Sequence, residues 1–335
     1  MLVAKSETEP YIEAAVAERG ASYACRGCHE SVIYKRGRIR IPYFAHYPGS
    51  ACAYGASMSL EHMEAQEVLA KGIRSRGAHA TLEVPMESLA GDDRRIDVLA
   101  WPPAKPDARI AIEVQKSDIT VELIDARTQS YLAEGIAPLW VRLYDFSKWS
   151  NPRLLKLRNS IWVNRHYARV WERWAYQYLG RKLWFMDSKT FLLWRATFVE
   201  AHSYKEMSTW FSSGGEEQSA GGYWQGISQW VELELEGPFR AAELRLIRFK
   251  AKGPDKQTRR AATFFAPGEE AVSPEPQVRV QFVADPSFTR RELQVRSGAN
   301  WVPAAMQAAP AAWREVSVYQ PHHAPVATDG GSASE

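Results

Sequence analysis

The chain has 335 residues, and its 42 Lys and Arg against 39 Asp and Glu leave a formal charge of +3. That length supports a large core in roughly two or three domains. The near balance of charge excludes a protein that coats nucleic acid over its whole surface, while permitting a local basic groove. No apolar run reaches membrane-spanning length, and the N-terminus lacks a basic start followed by a long apolar stretch, so neither a membrane span nor a signal peptide is expected. Three cysteines, two of them in a C-x-x-C, fit a reducing, cytoplasmic setting better than a disulfide framework.

Residues 1–57 form the first predicted unit. Cys25-Arg-Gly-Cys28 is a tight knuckle. Ser31–Tyr34 and Ile39–Phe44 alternate apolar and polar around Lys35-Arg36-Gly37, which predicts a hairpin. The second strand delivers Phe44-Ala45-His46, and Cys52 follows. Cys25, Cys28, His46 and Cys52 together supply three thiolates and an imidazole, a complete tetrahedral set for zinc (Zn2+). Four protein ligands leave no open position, so such a zinc would be structural. His29 is a rival nitrogen ligand, but its place beside the knuckle would strain the site. The plainer alternative is three small buried cysteines and a surface histidine.

A helix is predicted over 59–77, capped by Ser59, with Leu60, Met63, Val68 and Leu69 roughly on one face. Glu61 and His62 lie in its first turn, where the helix dipole favours an acid. A short strand from Ala80 follows, then a charged turn whose Asp92 and Asp93 read as solvated. Residues 96–100 and 110–115 read as two strands joined by the proline-rich turn Trp101–Asp107. Alternation puts Glu113 and Gln115 on one face and Ile112 and Val114 on the other. An acid in an apolar strand is costly to bury alone, and a second one beside it costs more unless a cation holds both. Asp97 and Glu113 are therefore expected to bind a hard divalent cation, magnesium or manganese (Mg2+ or Mn2+).

The pattern Asp97…Glu113-x-Gln115 resembles the core of the PD-(D/E)xK nucleases, with Gln115 in place of the usual lysine. Ile112-Glu113-Val114-Gln115-x-Ser117, Arg127-x3-Tyr131, Gly135-Ile136 and Leu139-Trp140 resemble more narrowly the CoiA-type competence proteins, where the E-x-Q variant is usual. Ser59-x-Glu61-His62 and Phe44-Ala45-His46 are similar to the matching parts of that family. The likeness covers roughly residues 1–150. It implies an α/β (α+β) fold: a restriction-endonuclease-like core sheet flanked by helices, behind a zinc-ribbon-like module. It also implies a magnesium-dependent deoxyribonuclease that processes or recombines incoming DNA in natural transformation, alongside recombination or competence proteins. The catalytic set is then Asp97, Glu113, Gln115 and Glu61, the last as a third metal ligand or merely a first-turn acid. Gln115 cannot accept a proton, but its amide can orient a water. That replacement and the modest net charge favour the alternative, a non-catalytic DNA-binding or scaffold protein that retains the fold.

After Lys116-Ser117 a second helix is predicted to about residue 134, capped by Ser117 or Asp118. Arg127 and Tyr131 are four apart and share a face, so Arg127 reaches a phosphate or a metal-bound carboxylate, or else pairs with a surface acid. Residues 151–212 interleave basic and aromatic residues. In a helix over 163–179, Tyr167, Trp171, Trp174 and Tyr178 form one face. Arg165, Arg169 and Arg173 form another, either a solvated edge or the border of a DNA groove that includes Lys116. Residues 183–198 read as a hairpin, 212–222 as a flexible linker and 223–318 as a small, mostly β, antiparallel domain with a basic loop at 250–256. Residues 319–335 read as a disordered tail. The expected units are thus 1–57, 58–150, 151–212, 223–318 and 319–335.

Overall fold

The computed structural model describes residues 1–269 apart from 53, 55–57, 87–93, 150–151, 156–159, 206, 221–222 and 253–257, and strands within 280–284, 291–297, 300–303 and 317–318. Asp92, Asp93, most of the 250–256 loop and the tail 319–335 lie outside the described residues.

In the N-terminal unit β1 (Val3–Ala4) pairs with β2 (Ile12–Glu13), and β3 (Tyr23–Ala24), β4 (Ser31–Lys35) and β5 (Tyr43–His46) make a three-stranded antiparallel sheet. Its register sets Val32 opposite His46 and Tyr34 opposite Phe44. Tyr23, Tyr34 and Phe44 consequently cluster, with ring centroids 5.0, 5.4 and 5.8 Å apart. With Met1, Ala4, Ala14 and Val32 these rings build a small core separate from the main one.

Helix α1 (Leu60–Ser75) starts where the Ser59 hydroxyl accepts the His62 N–H, as the sequence predicts. It packs closely against the turn at Ala241–Glu243. A Cβ on Gly72 would lie 2.5 Å from the Ala241 Cβ, so only glycine permits this approach. Next come β6 (His79–Met86), β7 (Arg94–Trp101), β8 (Ile110–Gln115), α2 (Val121–Ala133) and β9 (Ala137–Tyr144). β6, β7 and β8 are antiparallel, and α2 is the crossover that makes β9 parallel to β8. The order strand, strand, strand, helix, strand is the expected one. The cap of α2, however, is Thr120 and neither Ser117 nor Asp118. The cause is Arg142 on β9. Its guanidinium takes the carbonyls of Gln115 and Lys116 and holds the chain extended beyond β8.

Arg142 is buried, and Glu172 Oε1 lies 2.6 Å from its Nε. His166 accepts from the Trp149 indole at Nδ1 (3.1 Å), which leaves its Nε2 to donate to Glu172 Oε2 at 2.9 Å. Glu172 belongs to α3 (Val170–Tyr178), which follows β10 (Arg153–Leu155) and β11 (Ser160–Tyr167). The helix expected over 163–179 thus begins only at 170. Residues 160–167 open with the β-prone run Ile161-Trp162-Val163, and they pair antiparallel with a later strand, with a bulge between Val163 and His166. Trp171, Trp174 and Tyr178 keep the aromatic stripe and are buried, whereas Tyr167 leaves it.

The sheet does not end at β9. β12 (Leu183–Asp187) runs parallel to it, β13 (Leu193–Lys205) pairs with β12 as the predicted hairpin, and β14 (Ser208–Phe211) and β15 (Glu217–Ala220) form a short hairpin where a linker was expected. β16 (Tyr223–Phe239) then inserts between β13 and β11. The result is one ten-stranded mixed sheet whose last four strands at one end are β9, β8, β7 and β6. The expected separate domain from 223 therefore begins with a strand of the main sheet. Period-two alternation revealed the strand but could not name its partner. β17 (Arg245–Lys252) and β18 (Thr258–Phe265) form a hairpin laid on the same core, where Trp184 donates to the Thr263 hydroxyl at 2.9 Å. Among the described residues no helix is long and apolar enough to cross a membrane.

Candidate functional site

Cys25 and Cys28 lie on the turn after β3, His46 ends β5, and Cys52 follows, so the short sheet brings all four to one point. One ligand atom from each lies within 4.8 Å of all the others. Cys28 Sγ is 3.4 Å from His46 Nε2, and the Gly27 N–H points at Cys25 Sγ from 3.3 Å. Zinc–sulfur bonds of about 2.3 Å place tetrahedral ligands about 3.5–3.8 Å apart, so the set needs almost no movement to close. Desolvation, with hydrogen bonding from Cys52 and Cys25, pushes the Cys28 thiol up to about 12. Cys28 thus keeps a proton that a divalent cation would displace, while for Cys52 desolvation is outweighed by hydrogen bonds from the Tyr54 backbone, Cys28 and Cys25, which hold it low. His29 is turned to Lys5, 2.6 Å from its Nζ, and is no part of the cluster. Donor set and geometry both fit a structural zinc.

The acids meet where two strands part. The β7–β8 ladder ends with Val98 opposite Ile112, and the next residues outward are Asp97 and Glu113. In place of another rung, the Asp97 carboxylate accepts the Val114 N–H at 2.8 Å. His62 Nε2 lies 2.9 Å from the same oxygen, and the Gln66 amide donates to the other at 2.6 Å. Glu113 accepts the Tyr131 hydroxyl at 2.8 Å. Three elements thus fix the pair: α1 through His62 and Gln66, β8 through its backbone, and α2 through Tyr131.

Burial, then the neighbouring Asp97 carboxylate, pushes Glu113 up to about 8 against the pull of Arg127 and Tyr131. Burial also opposes charge on Asp97, but His62 and the Val114 N–H outweigh it and hold Asp97 below the usual carboxylate range. For His62, burial lowers and Asp97 raises, and the net is upward. Two buried atoms at the site lack partners: the Gln66 carbonyl Oε1, on a side chain with no exposure, and Arg127 Nε. The unpartnered oxygen belongs to the side chain that holds Asp97, and an amide oxygen is a hard donor. Asp97, Glu113 and Gln66 together fit a cation such as magnesium.

The remaining expected site residues lie elsewhere. Glu61 is 40% exposed and pairs with Lys116 at 3.3 Å. Its own backbone N–H and Ser59 hold its carboxyl low, which is the first-turn role. Gln115 spends its amide on the Ser117 carbonyl at 2.8 Å. Arg165 stacks over Trp230 at 4.1 Å from β11, Arg169 precedes α3 and pairs with Asp118 at 2.8 Å, and Arg173 is half-buried on α3. These three arginines do not share one helix face. Gln66 is the residue that sequence reasoning missed. Its signal is spacing, since His62 and Gln66 are four apart on α1 and reach the same carboxylate.

Residues 8–55 match the family model of the competence protein CoiA N-terminal domain, and residues 59–216 match that of its nuclease-like domain. The second match runs past β9 and through β14. A competence protein CoiA of Bacillus subtilis (strain 168) is 26% identical over 141 residues, which cover 42% of this chain and 36% of that relative. The match thus spans about a third of the relative's length. No solved structure matches the chain. Over residues 8–216 the chain belongs to the CoiA-type competence proteins.

Proposed function

We propose that the chain is a metal-dependent nuclease acting on DNA, in the processing or recombination of incoming DNA with other competence or recombination proteins in the cytoplasm. One observation carries this: two buried acids, one of them holding its proton up to about 8, meet where β7 and β8 separate, held by a Gln66 side chain whose amide oxygen has no partner. Asp97, Glu113 and Gln66 would hold magnesium or manganese. When bound, such a cation makes an attacking water more acidic and stabilises the leaving oxygen of a phosphodiester. The protein's own part is orientation. The Val114 N–H, His62 and Gln66 lock the Asp97 carboxylate, and Tyr131 locks Glu113. Arg127 sets a positive charge near Glu113 and offers an unpartnered Nε. On the rim, Lys116 holds Glu61 and is exposed enough to meet a phosphate.

A second reading, a non-catalytic DNA-binding or scaffold protein, is favoured by Gln115, whose amide is committed to the backbone and not to the acids. Incubating single- and double-stranded DNA with magnesium, manganese or no divalent cation separates the two. Nuclease action predicts metal-dependent cleavage by wild type and none by Asp97→Ala. Binding without cleavage by both proteins supports the scaffold.

A further inference from the structure

We propose that the loop joining β4 to β5 is a finger that grips duplex DNA, its cations on the phosphates and Ile39 at a groove. The choice of DNA rests on the functional reading above; the binding surface is independent of the acids.

Lys35, Arg36, Arg38 and Arg40 are all exposed, within six consecutive residues that contain no acid. The finger thus carries more positive charge than the +3 of the whole chain. Among the described residues none of the four forms an ion pair, whereas Arg74, Arg95, Arg142 and Arg195 each face a glutamate. Arg19 donates to the Arg36 carbonyl at 3.0 Å, fixing the base of the finger and adding a fifth cation. Ile39 is 95% exposed between Arg38 and Arg40. An open hollow of about 460 Å³ lies among these residues.

Position and chemistry narrow the ligand. Ile41 and Tyr43 anchor the finger on the main core, and Arg40 acts on Glu64 of α1. The same helix carries His62 and Gln66 to Asp97. A polymer held by the finger therefore lies beside the first turns of the helix that borders the acids. Single strands are held largely by stacking on aromatic rings. The finger presents none at its tip, and the Tyr43 ring at its base lies 5.8 Å from the Lys35 ammonium. Cations flanking an exposed apolar tip suit a duplex, where arginine and lysine track phosphates and an isoleucine can wedge at a base step.

The test is fluorescence anisotropy of the full, zinc-loaded chain with a labelled duplex in magnesium-free buffer, across a range of potassium chloride. Each lost phosphate contact removes about 0.9 from the log–log salt slope, so Lys35→Gln, Arg36→Gln, Arg38→Gln and Arg40→Gln combined should flatten it by about three to four. Ile39→Ser should weaken duplex binding with the slope unchanged. Zinc content and melting temperature should match wild type in both variants. If the combined variant loses zinc, Arg38→Gln alone should still flatten the slope by about one. A wild-type slope in the charge variants overturns the proposal, as does an equal or larger loss with single-stranded DNA or RNA of the same length. In magnesium-free buffer the salt slope is read without any cleavage. Absence of cleavage therefore leaves the finger standing, and an inert finger leaves the nuclease reading standing.

Discussion

Replacing Glu113 with glutamine keeps the shape of the side chain and removes its charge, which tests whether the paired acids are built for a cation. In the protein without magnesium, Glu113 holds its proton up to about 8, while in the unfolded chain it releases it near the ordinary 4.5. Between those values the native state binds more protons than the unfolded one, so stability falls as pH rises through that window and is fully restored only below it. At about 1.4 kcal/mol per pH unit the separation sets an upper bound of about 5 kcal/mol. Even a fifth of that bound, about 1 kcal/mol, moves the melting temperature by about 1–2 °C in a protein of this size. Other groups facing the pair are His62, Asp97, Arg127 and Tyr131, and Glu113→Gln retains them all. Thermal melts from pH 5 to 9 in magnesium-free buffer without chelator leave the zinc in place. Wild type should lose stability relative to Glu113→Gln as pH rises, and millimolar magnesium should restore wild type alone. Identical pH profiles for the two proteins would refute the claim that Glu113 is strained by burial and by Asp97.

Purified protein should carry about one zinc per chain by elemental analysis, and Cys28→Ser should lose it together with the fold of residues 1–57. Gln66→Leu should weaken magnesium binding by about 10- to 100-fold, the worth of one contact to a charged group, whereas Gln66→Glu should tighten it; calorimetry reads both. Gln115→Ala should cleave within about tenfold of wild type, because its amide bonds a backbone carbonyl in a contact worth about 1 kcal/mol. A loss near 100-fold at unchanged magnesium affinity would mean that the amide turns to the reacting water. Asp97→Ala should lose magnesium binding and cleavage together.

What the sequence discloses here is local, and what it hides is who pairs with whom. The Cys25, Cys28, His46 and Cys52 cluster was legible because every cysteine falls into one spacing with His46. The meeting of Asp97 and Glu113 was legible because each is an acid in an apolar strand, which has to find partners where it is buried. The 163–179 segment misled because its aromatics step at helical intervals. Residues 160–167 instead pair with β16, through a bulge between Val163 and His166 that no simple period reveals. The α2 cap lies two or three residues later than expected, at Thr120, and Arg142, distant in sequence, holds the carbonyls before it. Gln66 was invisible as a site residue because glutamine inside a helix raises no alarm until its carbonyl is found buried and unpartnered.

The link from Arg142 to Glu172 bears on where this chain can be cut. A fragment ending near residue 150 would keep both acids and every strand from β6 to β9, yet it would strand a buried guanidinium without its carboxylate. Losing one partner of such a pair costs about 3–5 kcal/mol, a large share of the roughly 5–15 kcal/mol that holds a typical domain together. The same guanidinium shapes the exit from β8, so the damage would reach Gln115 and Lys116 first. The half that carries the two acids is therefore not a transplantable cassette, and a minimal folded fragment has to extend at least through α3.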